Sequence, residues 1–233
     1  MPADGAPPLA PIFDAHLHVV DPRFPLVANQ GYLPPAFTAD DYRAAATPLG
    51  VRGGAVVSGS FQAFDQAYLL DALDRLGPTF VGVTQLPRSA SDAEIRELDR
   101  RGVRAVRFNL KRGGSEGSTA LEEMAHRVHA LVGWHVELYA DAAELADLAP
   151  VLRSLPQICI DPLGLAAAGL PTVRTLVAGG AKVKASGFGR VDFDVASALR
   201  AIADLDPHAL VFGTDLPSTR APRPFSAADL TLV

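Results

Sequence analysis

The chain has 233 residues, 48% of them hydrophobic and 20% charged, an ordinary composition for one large globular domain. A formal net charge of −5 and the lack of any basic tract argue against a nucleic-acid or membrane-surface partner. The single cysteine, Cys159, excludes an intramolecular disulfide, and its setting in Ile158-Cys159-Ile160 reads as buried filler rather than a catalytic thiol.

The first eleven residues, MPADGAPPLAP, show neither the basic nor the apolar region of a signal peptide, and no run approaches 18 apolar residues. They read as an N-terminal extension (1–11) of a cytoplasmic protein, with one domain over 12–233. A first strand, IFDAHLHV, is followed by a helix within TADDYRAAATPLG, with Thr38 as N-cap and Gly50 as stop. GGAVVSG is the second strand, and FDQAYLLDALDRLG carries apolar residues near 3.6 spacing. TFVGVTQL precedes a helix in SASDAEIRELDRRG, where Ser91 and Glu94 form a capping box. VRAVRFNL, WHVELYA, QICID and AKVKASG follow as strands four to seven. Each is trailed by a helical pattern, in STALEEMAHRVHALVG, DAAELADLAPVLRSL, LPTVRTLVAGG and DFDVASALRAIADL. ALVFGTD is the eighth strand. Eight strands with seven intervening helices make an α/β chain of the (β/α)8 TIM-barrel type. SAADLTLV resembles only the first turns of an eighth helix, so the barrel is expected to be incomplete there. Apolar surface beside strands eight and one would then suit a homo-oligomeric contact.

Barrel chemistry sits at the carboxyl ends of the strands. That rule places His16, His18, Ser58, Ser60, Gln85, Arg107, Asn109, Arg112, Tyr139, Asp141, Asp161, Ser186, Arg190 and Asp215 around the mouth. His135 and His208 fall at the lower end, and His126 and His129 on an outer helix. His16 and His18 are two residues apart and share a strand face; Asp14 is expected on that face one step deeper. Asp215 ends the strand that closes the ring beside them. A carboxylate beside two imidazoles can serve as a general base on water or complete a three-ligand metal site. Arg107, Arg112 and Arg190 can grip carboxylates through their guanidinium forks, which points to a small anionic organic substrate. Ser58 is a further candidate contact.

FDAHLHVVD, ASDAEIRELDRRGVRAVRFNLKR, GWHVELYAD, ICIDPLG, VKASG and VFGTDLP occur in the order seen in the amidohydrolase superfamily. From Ile12 to Pro217 the chain resembles the amidohydrolase-related lactonase branch, the 2-pyrone-4,6-dicarboxylate lactonases in particular. The resemblance implies a (β/α)8 barrel, lactone hydrolysis and no required metal. It implies Asp215 as general base, His16 and His18 flanking the substrate, and Arg107, Arg112, Tyr139, Arg190 and the loop residue Tyr32 binding it. One departure stands out: the family carries a histidine after the sixth strand where this chain has Pro162, which offers neither donor nor ligand. Three readings follow: a lactone hydrolase; a metal-dependent hydrolase or decarboxylase holding Zn2+ or Mn2+ on His16, His18 and Asp215; or a non-catalytic small-anion binder.

Overall fold

A computed structural model describes residues 11–233. The expected extension lies, Pro11 apart, outside the described residues. One parallel sheet runs in chain order through β1 (Ile12–Leu17), β2 (Val51–Val57), β3 (Phe80–Thr84), β4 (Val103–Asn109), β5 (His135–Tyr139), β6 (Ile158–Asp161), β7 (Lys182–Ala185) and β8 (Leu210–Phe212). Between them lie α1 (Ala39–Ala46), α2 (Ala67–Leu76), α3 (Asp92–Arg100), α4 (Leu121–Val132), α5 (Ala142–Leu152), α6 (Leu170–Ala178) and α7 (Val195–Ala203). This is the (β/α)8 barrel. Among the described residues no helix is long and apolar enough to cross a membrane.

Local chemistry sets the helix boundaries. Thr38 caps α1 reciprocally with Asp41, and Ser91 caps α3 with Glu94, each satisfying amide groups that the first turn leaves free. α1 ends before Pro48, and a short 3-10 turn carries the chain to Gly50, whose φ of 83° suits a residue without Cβ. α2 starts at Ala67, three residues into the expected segment FDQAYLLDALDRLG, where Asp65 accepts from the amides of Ala67 and Tyr68.

The main core lies between sheet and helices and includes Leu69, Ile95, Leu121, Leu145, Val173 and Ile202. A separate cluster of Ala55, Val57, Val83 and Ala105 fills the barrel's inside with small side chains. Below it a cavity of about 470 Å3 is lined by Phe13, Ala15, Val81 and Val83 and bounded by Glu137 and Lys184.

β8 and β1 do not form a continuous ladder. The seam is joined near the mouth by Asp215 N–H to the His16 carbonyl (2.7 Å) and His18 N–H to the Leu216 carbonyl (2.8 Å). Asp14 reinforces it from outside. Its carboxylate accepts from the Thr214 amide (2.8 Å) and hydroxyl (2.6 Å), the Tyr42 hydroxyl (2.9 Å) and the His16 amide (3.1 Å). The expectation that Asp14 shares the histidines' face is therefore corrected. An irregularity in the β1–β2 register between Asp14 and Leu17 breaks the alternation, so that Ala15 lines the lower cavity while His16 lines the mouth. In place of an eighth α-helix, Ala227–Leu232 forms a 3-10 segment capped by Ser226 and Asp229. Phe225 packs near Phe212 (ring centroids 6.3 Å apart) and partly covers the last strand.

Candidate active site

His16, at the upper end of β1, and His18, just past it, converge with Asp215, just past β8. Their closest atoms are His16 Nε2 to His18 Nε2, 3.3 Å; His18 Nε2 to Asp215 Oδ1, 3.5 Å; and His16 Nε2 to Asp215 Oδ1, 3.8 Å. Gly213 makes this possible: a Cβ there would lie 2.6 Å from His16 Cβ and 2.8 Å from its amide nitrogen. Asp215 itself has a φ of 59°, a left-handed conformation that aspartate tolerates better than most residues.

Each group of the trio is fixed from behind. His18 Nδ1 donates to the Val57 carbonyl (2.7 Å), leaving its Nε2 lone pair toward the cleft. Asp215 Oδ2 accepts from Arg190 Nε (2.7 Å), and Arg190 also donates to the Thr219 carbonyl (2.6 Å). Burial alone would raise the Asp215 pKa, but Arg190 and the two histidines outweigh it and hold the carboxyl at about 2. His16 is lowered to about 4, chiefly by burial, with Asp161 opposing and Lys184 adding to the fall. It is a neutral imidazole at neutral pH.

Beneath the trio lies a second set of charges. Asp161, at the end of β6, accepts from Arg107 Nε (3.1 Å) and NH2 (3.0 Å) on β4. Its other oxygen lies 3.3 Å from His16 Nδ1 and 3.5 Å from Lys184 Nζ. Lys184, on β7, donates to Glu137 on β5 (2.5 Å) and sits 3.3 Å from His16 Nδ1. Burial works against all three of these ions. The carboxylates nevertheless hold Lys184 protonated, and Lys184 with its neighbours holds Asp161 well below the usual carboxylate range and Glu137 below it. Three carboxylates (Glu137, Asp161, Asp215) thus face three cations (Arg107, Lys184, Arg190). His16, Glu137 and Asp161 could by spacing hold a cation, but the Lys184 ammonium already serves them.

The expected site residues divide. His16, His18, Arg107, Arg112, Tyr139, Arg190 and Asp215 line one cleft together with Pro162. Arg107 lies under Tyr139 (5.3 Å from its guanidinium carbon to the ring centroid) and gives NH1 to the Ser58 carbonyl (2.8 Å), so much of its fork is already engaged. Tyr32 sits at the rim beneath Arg220. Ser58 is turned away: its hydroxyl is 2.6 Å from that of Tyr68 on α2, outside the barrel. Gln85 staples loops, donating to the carbonyls of Gly59, Ala63 and Gly114. His208 and His126 are exposed, and His135 lies 3.5 Å from Glu137 at the lower end.

Sequence reasoning missed Glu137, Lys184 and Arg220. The first two had a signal: each is two residues below an expected mouth residue, Tyr139 or Ser186, so strand parity turns it inward. A charge inside an apolar strand is rarely unpaired. Arg220 lies in an irregular loop and had no such signal.

Residues 13–232 match the sequence profile of the amidohydrolase family. The chain belongs to that family. This amidohydrolase is 31% identical over 226 residues to the 4-sulfomuconolactone hydrolase of Rhizobium radiobacter, covering 88% of this chain and 75% of that one. It is 33% identical over 156 residues to a 2-pyrone-4,6-dicarboxylate hydrolase of Comamonas testosteroni, covering 65% of this chain but only about half (51%) of that protein. Its fold is shared with a probable 2-pyrone-4,6-dicarboxylic acid hydrolase from Acinetobacter baumannii (TM-score 0.83, 20% identity, 96% and 91% of the two chains). It also matches a Pseudomonas putida structure described as a putative hydrolase of the same acid (TM-score 0.73, 27% identity, 94% and 88%).

The family raises the question of a metal, and the residues present fit one. Tetrahedral nitrogen and oxygen ligands about 2.0–2.1 Å from zinc stand roughly 3.4 Å apart, close to the spacings of His16, His18 and Asp215. The buried Asp161 Oδ1 has no hydrogen-bond partner. A proton on His16 Nδ1 would supply one and free Nε2 as a ligand.

Proposed function

We propose that this amidohydrolase opens a lactone or related cyclic ester carrying carboxylates, with Asp215 activating water. The observation that carries the reading is the convergence of a buried carboxylate and two imidazole nitrogens within 3.8 Å in a cleft whose rim presents Arg112 and Arg220, with Arg190 deeper against Asp215. The two relatives named for lactone or pyrone substrates, one sulfonated and one a dicarboxylate, support it.

Asp215 takes a proton from water as the water oxygen bonds to the ring carbonyl carbon. With Lys184 donating to His16 Nδ1, His16 carries its proton on Nε2, facing the cleft. That N–H turns from His18 to the carbonyl oxygen as it gains charge. Collapse breaks the ring C–O bond, and the proton held by Asp215 passes to the departing oxygen, leaving a hydroxy acid or its enol form. Pro162 contributes no donor, so oxyanion stabilisation falls to His16 and nearby guanidinium groups. The pairing of Arg190 with Asp215 makes the resting carboxylate a weak base. A substrate carboxylate that draws Arg190 away restores its basicity when substrate is present.

These steps use only the chain's own groups. A second reading rests on the ligand spacing: His16, His18 and Asp215 would hold Zn2+ or Mn2+, which when bound supplies Lewis acidity toward the carbonyl and water. The deciding experiment is a panel of anionic and neutral lactones, run with wild type and Asp215→Asn, with and without chelator. Hydrolysis of an anionic lactone by wild type, lost by at least about 100-fold in a folded Asp215→Asn protein, is the expected result. Turnover retained in that variant, or none across the panel, overturns the reading. Loss of wild-type turnover on chelation selects the metal form.

A further inference from the structure

Two guanidinium groups at the mouth have no carboxylate within salt-bridge distance among the described residues. Arg112 directs NH1 to the Gln30 side-chain oxygen at 3.4 Å. Arg220, from the loop after β8, directs NH1 to the same oxygen at 3.5 Å and to Asn29 Oδ1 at 3.3 Å. Its NH2 donates to the Asn29 carbonyl, and the group lies 4.4 Å from the centre of the Tyr32 ring. One neutral oxygen thus serves two cations whose NH1 nitrogens can be no further apart than those two long contacts combined. Deeper in the cleft, Arg107 and Arg190 are each bound to a carboxylate. Arg220 is lowered from its ordinary pKa by burial and then by Arg112, in keeping with like charges held together without compensation.

The two arginines lie where a ligand of the inner trio would project. Both line the cleft of His16, His18 and Asp215, and both line an adjoining recess of about 240 Å3 that also takes in Lys111 and Arg190. The carboxylate of that recess, Asp141, is engaged by Lys111 (3.4 Å) and by the amide of Glu144 (3.2 Å).

We propose that Arg220 and Arg112 form an outer oxyanion site for the carboxylate or sulfonate most remote from the scissile bond, with Arg220 as a specificity-determining residue of this chain. Planar guanidinium forks on two loops grip such a group from two sides. The anion replaces the shared Gln30 contact, and Tyr32 keeps Arg220 flat against the rim. The catalytic side of this inference rests on the lactonase reading; the anion site does not.

The test has a binding arm and a kinetic arm. Tricarballylate, a tricarboxylate, and sulfosuccinate, its sulfonated counterpart, are titrated calorimetrically into wild type, Arg220→Gln, Arg220→Lys and Arg112→Gln. Both glutamine variants are expected to weaken binding by about 10- to 100-fold, with lysine at 220 restoring part of it. Stronger binding of one probe tells whether the site prefers carboxylate or sulfonate. In kinetics, Arg220→Gln is expected to raise KM for 2-pyrone-4,6-dicarboxylate much more than it lowers kcat. The preference for that substrate over neutral dihydrocoumarin should fall by a similar factor. Wild-type affinity in all three variants, or no binding to wild type at about 10 mM, overturns the site. Arg220-dependent binding without hydrolysis of any lactone leaves the site standing and removes the lactonase reading. Hydrolysis of the dicarboxylate with equal KM in wild type and both Arg220 variants does the reverse.

Discussion

Lys184 is 1% exposed and touches Glu137, Asp161 and His16, so its removal leaves two buried carboxylates facing each other. Lys184→Met is expected to cost about 3–5 kcal/mol in denaturant unfolding. Adding Glu137→Gln should return part of that loss, because one uncompensated charge goes with it. A double-mutant cycle measures the coupling directly; additive losses would show that the pair does not act as a unit. Asp215→Asn is the complementary residue-scale change: it keeps the shape and removes the proposed base, so turnover is expected to fall in a protein that still folds, with a lowered melting temperature because Arg190 loses its carboxylate partner.

The same residues set the response to acid. His16 has a folded pKa of about 4 against an ordinary 6.5, so between those values the unfolded chain binds the extra proton. Stability is fully present above pH 6.5 and is lost as pH falls toward 4, by roughly 3 kcal/mol. Asp215, at about 2 against 3.8, adds a second loss over that lower window by the same sign. Urea midpoints measured from pH 7 to pH 3 should fall accordingly, and replacing His16 with Gln should flatten the upper part of the curve.

At the scale of elements, the seam between β8 and β1 builds the site. Gly213 allows β8 to approach His16 within a distance that no Cβ tolerates. Gly213→Ala is therefore expected to push the strands apart, costing about 1–3 kcal/mol, and to reduce turnover out of proportion to the lost stability. Equal turnover in a destabilised Gly213→Ala protein would show that the approach serves folding alone. The irregular step in β1 is the other local device. It turns Asp14 outward to bind Thr214 and Tyr42 while His16 turns in, and simple alternation from His16 and His18 predicts the opposite.

For the whole molecule, the inside of the barrel is layered. Small apolar residues surround a cavity at the lower end, a closed set of ion pairs crosses the middle, and the histidine–aspartate trio sits at the mouth. The spacing of that trio predicts that chain stripped by chelator takes up Zn2+. At a hundredfold excess over Kd this would stabilise the fold by about 3 kcal/mol, and His18→Gln should abolish the shift. A melting temperature indifferent to Zn2+ would count against the metal form.

Alternating short strands and capped helices determined the barrel from sequence alone, because hydrophobic period and capping are local properties. The placement of His16, His18, Arg107, Arg190 and Asp215 at one mouth was also legible, since strand ends map to one face of this fold. Tertiary structure alone decided the rest. Ser58 faces Tyr68 rather than the cleft, Asp14 lies outside the barrel, Lys184 and Glu137 join the site from below, and Arg220 reaches Arg112 across the rim. Each depends on register, on a bulge or on loop closure, which bring together residues far apart in sequence and leave little trace in either stretch alone.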